Sequence, residues 1–103
     1  MAAAAALFIF ALPAVAADAE AGRAKAQVCA ACHGADGNKP SAPDQPILGG
    51  QYPDYLAKAL RDYKSGARKN PIMAGFAGTL STADIDNVAA YYAAQPAVLV
   101  TRH

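Results

Sequence analysis

The sequence has few of the groups from which most functional sites are built. Its 103 residues include only two cysteines and two histidines, and 9 basic residues nearly balance 8 acidic ones for a net charge of +1. This balance argues against nucleic acid or an acidic polymer as a partner. Strand-like alternation and internal repeats are also missing, which disfavours folds built on a sheet.

The first 17 residues have the pattern of a secretory signal peptide. An uncharged apolar run over 2–12 is followed by small residues, and the first charge is Asp18. The run is too short to span a bilayer, which takes about 20 helical residues. Cleavage after Ala16 or Ala17 fits equally well, although no Lys or Arg precedes the run. We expect a signal peptide over 1–17 and one exported domain over 18–103, without stable membrane insertion. The alternatives are an apolar N-terminal helix of the mature fold and an uncleaved anchor.

Apolar spacing predicts an all-α domain with about three main helices, over residues 18–33, 52–65 and 82–95. Each predicted helix has one apolar face. In chain order the faces consist of Ala24, Val28, Ala31 and Cys32; Tyr52, Tyr55, Leu56, Ala59, Leu60 and Tyr63; and Ile85, Val88, Ala89 and Tyr92.

Polar residues at the helix ends support these boundaries. Asp18 is placed to cap the first helix, and Ser81 with Asp84 has the spacing of a capping box at the third. On the outer face of the second helix, Asp54 and Lys58 lie one turn apart, which predicts an ion pair.

Two stretches rich in proline and glycine, 34–50 and 67–80, predict long loops. Loops of this length are unusual in a compact domain unless they are functional or pack on something. The helices offer too little apolar material for a conventional core, and domains of this size often contain a metal, disulfide or other covalent staple. The loops are therefore expected to pack against a bound group.

The segment Cys29-Ala30-Ala31-Cys32-His33 is a C-x-x-C-H motif, which attaches c-type haem. On a helix, residues i, i+3 and i+4 share one face. Two thiols at this spacing can form thioethers with the two vinyl groups of one porphyrin. The adjacent His33 can then bind the iron as proximal ligand.

Other interpretations of the cysteine pair fit the sequence less well. A thioredoxin-like site needs a neighbouring βαβ pattern, which the sequence does not show. A zinc site needs about four N or S ligands, and besides Cys29, Cys32 and His33 only His103 remains. A disulfide across three helical residues would be strained.

Met73 is the predicted second iron ligand. After removal of the signal it is the only methionine, and it lies in the predicted Pro- and Gly-flanked loop. Histidine and methionine are the ligand pair of cytochromes c, and a six-coordinate iron favours electron transfer over oxygen or peroxide chemistry. A buried core methionine is the alternative for Met73, and His103 is the alternative ligand.

With these residues the sequence resembles the class I c-type cytochromes of the small bacterial periplasmic monohaem type, or one half of a two-domain dihaem cytochrome. The resemblance covers residues 18–96, whereas the tail 97–103 matches no family motif. It rests on Gly22, Cys29–Gly34, Pro46–Gln51, Tyr63–Arg68, Pro71–Met73, Leu80-Ser81 and Tyr91-Tyr92.

The resemblance implies roles for further residues. Gly22 should let the first helix cross close to the last near Tyr91 or Tyr92. The Pro46 carbonyl should accept a hydrogen bond from His33 Nδ1, which orients a ligand ring and raises its basicity; an ordinary turn proline is the alternative. Leu48 and Ile72 should pack on the porphyrin, and Tyr63 and Arg68 should reach its propionates, with a core tyrosine and a solvated arginine as alternatives.

The implied function is that of a periplasmic one-electron carrier, not an enzyme, with one haem c held by two thioethers. Its expected partners are redox proteins: a membrane-bound donor complex and a terminal oxidase or reductase. Lys64, Arg68 and Lys69 precede Met73 and could steer an acidic partner. The alternatives are a haem subunit of a larger redox enzyme, and a haem sensor or peroxidase with a labile sixth ligand.

Overall fold

The computed structural model describes residues 17–41 and 45–97. Within these ranges it contains five helices and no strand. They are α1 (Ala19–Lys25), α2 (Gln27–His33), α3 (Pro53–Ser65), α4 (Pro71–Gly78) and α5 (Thr82–Ala93). The all-α prediction is confirmed.

Some sequence-based predictions fall beyond the described ranges. Nearly all of the predicted signal peptide lies there, as do residues 98–103 with His103. Among the described helices, none has the length and apolar character needed to cross a membrane.

The first predicted helix is two helices, with a break at Ala26. Ala26 is buried and has ψ −7°, a value that tightens the turn. Its carbonyl accepts hydrogen bonds from the backbone N–H groups of Cys29 and Ala30, at 2.9 and 3.1 Å. The Tyr92 hydroxyl approaches the same oxygen at 3.4 Å. The break therefore follows from packing of this turn against α5.

The prediction of a loop over 67–80 is wrong for most of that segment, because α4 lies within it. Asn70 caps this helix: its side-chain oxygen accepts from the N–H groups of Ile72 and Met73, at 3.1 Å each. Pro71 occupies the first helical turn, where its missing N–H costs nothing. Met73 consequently lies on a helix and not in a loop.

The predicted capping box of α5 is confirmed, whereas the ion pair predicted on α3 is wrong. Ser81 Oγ and the Asp84 carboxylate exchange hydrogen bonds with each other's backbone N–H, at 3.1 Å each. Lys58 Nζ pairs with Asp62 at 2.6 Å instead of with Asp54. Both carboxylates are four residues from Lys58, and Asp54 lies in the first turn, where free backbone N–H groups already favour a negative charge.

The core lies where α1 and α3 pack on α5. Ile85, Val88, Ala89 and Tyr92 are all buried, so the predicted face of α5 is confirmed. The buried cluster consists of Ala26, Leu56, Ala57, Leu80, Ile85, Val88, Ala89 and Tyr92. The stripe predicted on the first helix is wrong, because Ala24, Val28 and Ala31 are exposed and the buried positions there are Gly22, Ala26 and His33.

Gly22 is the point of closest approach between α1 and α5. A Cβ at this position would lie 1.9 Å from the Asn87 carbonyl oxygen and 2.9 Å from the Val88 nitrogen. Glycine is therefore required for the crossing, which lies one turn earlier in α5 than the expected position near Tyr91 or Tyr92. The close packing brings the next turn of the chain, at Ala26, against Tyr92.

Candidate haem site

A cavity of about 520 Å³ opens between α2, α3, α4, α5 and the segment 45–51. Its volume falls in the range of roughly 300–1,000 Å³ that suits a large organic ligand. It brings together all nine residues predicted to bind a cofactor: Cys29, Cys32, His33, Pro46, Leu48, Tyr63, Arg68, Ile72 and Met73. Residues that are far apart in the chain thus share one space.

The two cysteines lie one turn apart on α2. Both thiols are free and half-buried, and both line the cavity. Burial raises the pKa of the Cys29 thiol because it disfavours the charged thiolate, and a hydrogen bond with Tyr92 opposes this effect. The predicted helical placement of the pair is therefore present, and the thiols are not joined in a disulfide.

His33 is buried, and a backbone carbonyl holds its ring in place. Its Nδ1 lies 2.9 Å from the carbonyl oxygen of Pro46. Since a proline carbonyl can only accept, Nδ1 carries the proton and donates it. The other ring nitrogen, Nε2, then keeps the lone pair that a metal ligand needs. This is the contact that the resemblance implied.

Backbone hydrogen bonds hold the segment that carries Pro46. The carbonyl of Cys32 accepts from Ser41 N at 2.8 Å, and that of His33 accepts from Lys39 N at 3.1 Å. Further on, the Gly37 carbonyl accepts from Leu48 N at 2.8 Å. The described part of the predicted loop 34–50 therefore folds back on the end of α2 and keeps Pro46 beside His33.

Met73 enters the cavity from α4, a different helix from that of His33. Its side chain is half-buried and lies in the first turn of α4, whose position depends on the Asn70 cap. The neighbouring Ile72 also lines the cavity, although 68% of its surface is exposed. A thioether sulfur from α4 and an imidazole from α2 therefore line one cavity.

At the rim of the cavity, Arg68 lies over the ring of Tyr63, with the guanidinium carbon 4.8 Å from the ring centroid. This is a cation–π contact. Arg68 and Lys69 line the cavity, whereas Lys64 donates to the carbonyl oxygen of Leu80. The predicted basic cluster is therefore divided: Lys64 stabilises the turn after α4, and the other two remain at the rim.

Several cavity residues were not predicted from the sequence. Val28, Tyr55 and Phe76 line the cavity, and Asn70 supplies the cap of α4. The dipeptide Asn70-Pro71 is a recognisable helix start. A helix that starts there places Phe76 one turn after Ile72 and Met73, on the same side of α4, so this signal could have identified Phe76 as a cavity residue.

The donors present fit haem better than a bare metal ion. Two thiols on one helical turn, a histidine with its Nδ1 proton engaged and a methionine thioether form the donor set expected for a c-type haem. Among the described residues, no group of three or more His, Cys, Asp or Glu side chains is arranged to hold a metal ion. The zinc alternative therefore finds no support in this part of the chain.

Residues 16–91 match the family model described as "Cytochrome C oxidase, cbb3-type, subunit III". The chain belongs to this family of c-type cytochrome domains. Membership means that its cofactor is covalent haem c, which agrees with the C-x-x-C-H motif at 29–33, and that electron transfer is the chemistry of the domain.

Similar proteins include cytochrome c4 of Pseudomonas aeruginosa, 53% identical over 78 residues that cover 76% of this chain and 38% of that protein. Cytochrome c-554(548) of Halomonas halodenitrificans is 43% identical and is matched over 96% of its length by 76% of this chain. The crystal structure of reduced cytochrome c4 from Pseudomonas stutzeri aligns with a TM-score of 0.73 and 44% identity, covering 79% of this chain and 47% of that one. The chain thus spans about two fifths of the curated cytochromes c4 but nearly the whole of the smaller cytochrome c-554(548).

Proposed function

We propose that this chain is an exported, periplasmic one-electron carrier whose haem iron is ligated by His33 and Met73. The observation that carries the proposal is that Met73 on α4 lines the same cavity as His33 on α2. When bound, haem supplies the one-electron redox couple of its iron. The chain would hold it through thioethers from Cys29 and Cys32.

The residues around the cavity set the properties of the two ligands. The hydrogen bond from His33 Nδ1 to Pro46 fixes the ring and raises the basicity of Nε2. The soft, neutral thioether of Met73 favours the reduced metal and so raises the reduction potential. Apolar side chains such as Leu48 and Ile72 restrict the access of water to the ligands.

A carrier is favoured over an enzyme because an iron held by both His33 and Met73 would have no coordination site left for a substrate. If Met73 does not bind, the alternative of a sensor or peroxidase with a labile sixth ligand gains support. The third possibility, a subunit that works only inside a larger redox enzyme, is tested by whether the domain is isolated alone or with other chains.

Arg68 and Lys69 suggest the kind of partner. Both are exposed and both line the cavity rim. A positive rim increases the encounter rate with an acidic surface, and this effect weakens as salt rises. We therefore propose acidic redox proteins as donor and acceptor, such as a membrane-bound donor complex and a terminal oxidase or reductase.

Optical spectroscopy of the holoprotein tests the ligand pair. The oxidised protein should show the weak red band of sulfur-to-iron charge transfer, and Met73→Ala should abolish it and allow cyanide or CO to bind. Ile72→Ala is the matched control, because it removes a neighbouring cavity residue without a donor atom and should leave the band. A Met73→Ala spectrum identical to that of the wild type would refute Met73 ligation and favour the sensor or enzyme alternative.

The export proposal has a separate test. The mass of the protein recovered from the periplasm should correspond to cleavage after Ala16 or Ala17. Recovery of the uncleaved chain in the membrane fraction would contradict it.

A further inference from the structure

Asn38 lies outside the cavity but connects two distant parts of the chain. Its Nδ2 donates to the carbonyl oxygen of Pro96, just past α5, at 2.8 Å. Its backbone N–H donates to the Asp36 carboxylate at 2.9 Å. The side chain therefore joins the loop after the haem motif to the end of the last helix.

The same side chain fills the space beside Gly49. A Cβ on Gly49 would lie 2.4 Å from Asn38 Nδ2 and 2.6 Å from its Oδ1. Gly49 does not have a positive φ, so its φ does not by itself require glycine. The amide of Asn38 therefore excludes a residue larger than glycine at position 49, and the segments that carry Asn38 and Gly49 are in direct contact.

The two chain neighbours of Asn38 form backbone hydrogen bonds with the segments that carry His33 and Pro46. On one side of Asn38, the Gly37 carbonyl accepts from Leu48 N, two residues after Pro46; on the other, Lys39 N donates to the His33 carbonyl. Asn38 therefore lies between Gly37, which is bonded to the segment that carries Pro46, and Lys39, which is bonded to His33.

We propose that Asn38 is a positioning residue for the proximal histidine: its amide keeps segment 46–49 in place, so that the Pro46 carbonyl stays within hydrogen-bond distance of His33 Nδ1. The proposal rests on the proposed role of His33 as iron ligand. Among the described residues no donor reaches Asn38 Oδ1, which is buried. A buried acceptor without a donor costs stability, which is consistent with a residue kept for its other contacts.

The test uses holoprotein with Asn38→Ala and Asn38→Asp. Alanine removes both the bond to Pro96 and the contact with Gly49, whereas aspartate keeps the shape but places an oxygen against the Pro96 carbonyl. In the reduced protein, NMR should show the His33 Nδ1 proton exchanging faster by about fivefold, the equilibrium worth of one hydrogen bond. The reduction potential should rise, because a weaker hydrogen bond makes His33 less basic.

Asn87→Ala is the matched control. Asn87 Oδ1 accepts from Asp18 N at 2.8 Å, so it also joins distant segments, but it does not line the cavity. It should lower thermal stability without changing proton exchange or potential. The proposal is overturned if the Asn38 variants behave like Asn87→Ala, with lower stability and both His33 readouts unchanged.

Gly49→Ala provides a second route if the Asn38 variants do not accumulate as holoprotein. The new Cβ would displace the amide of Asn38 and should change the same two readouts in the same direction. Unchanged exchange in this variant would also count against the proposal. Failure of Met73 ligation would be visible in the absorption spectrum alone, so the two proposals can fail separately.

Discussion

The crossing of α1 and α5 and the cavity between α2 and α4 are held together in different ways. At the crossing, backbones meet directly at Gly22, and Ile85 is only 1% exposed. Around the cavity, a buried histidine is held by a loop carbonyl, and apolar side chains such as Ile72 face a shared space instead of each other. We therefore expect stability to depend mainly on the first region and the chemistry on the second.

The largest effect is expected from Gly22→Ala, which attacks the crossing. The new Cβ would lie 1.9 Å from the Asn87 carbonyl, so the helices must separate. We expect the free energy of unfolding of the holoprotein to fall by roughly 3 kcal/mol or more, as for severe overpacking. Gly75→Ala, in α4, is the matched control. Apart from the backbone of its own helix, no atom of the described residues lies within 4 Å of its Cβ position, so the substitution should stabilise α4 by about 0.5–1 kcal/mol. Equal losses in both variants would contradict the comparison.

Ile85→Ala tests whether the core side is packed as tightly as its burial indicates. Truncation of a fully buried isoleucine should cost about 3 kcal/mol, and Ile85→Val should cost about 1 kcal/mol. Denaturant unfolding of the two variants measures both losses. The absorption spectrum should remain that of the wild type, since Ile85 does not line the cavity. A spectral change would show that the two regions are coupled.

Asn70→Ala should have a smaller effect, centred on the cavity side. It removes the acceptor for the N–H groups of Ile72 and Met73, and loss of such a cap costs about 1 kcal/mol. Because Met73 lies in the capped turn, the sulfur-to-iron band should disappear at a lower temperature than in the wild type. Asn70→Asp keeps the cap and should preserve the band. Identical melting of the band in Asn70→Ala would show that α4 does not depend on this cap.

The smallest effect is a pH dependence at the start of α5. The pKa of Asp84 is lowered, first because its carboxylate accepts a hydrogen bond from the Ser81 backbone and also because Lys25 lies 3.7 Å away. A lowered folded-state pKa adds stability above the unfolded value of about 4, and this stability is lost as pH falls through the folded value. Between roughly pH 6 and pH 2 the melting temperature should therefore fall less in Asp84→Asn than in the wild type. An equal fall of the melting temperature in both proteins would exclude a contribution from Asp84.

Local sequence signals were reliable where a single helix decides the outcome. The Ser81–Asp84 capping box and the buried face of α5 depend on spacing within one element, and both predictions are confirmed. The same reasoning failed for 67–80, since proline and glycine favour a loop on average. The Asn70 cap and the N-terminal position of Pro71 reverse that preference at this site.

The partner of Lys58 and the break at Ala26 could not be predicted from periodicity. Lys58 has a carboxylate one turn away on each side, and only the three-dimensional arrangement selects Asp62. At Ala26 a continuous helical pattern is interrupted because Tyr92, 66 residues later, packs against that turn. Such long-range contacts have no local signature.

The spacing of Cys29, Cys32 and His33 needs only the helix that the chain forms there, because the geometry of one helical turn places the three side chains together. Haem attachment could therefore be inferred from the sequence. Only the tertiary structure decided that His33 contacts the Pro46 carbonyl and that His33 and Met73 line the same cavity. These groups belong to separate segments, and only closure of the intervening chain, through the bonds around Asn38 and the cap at Asn70, brings them together.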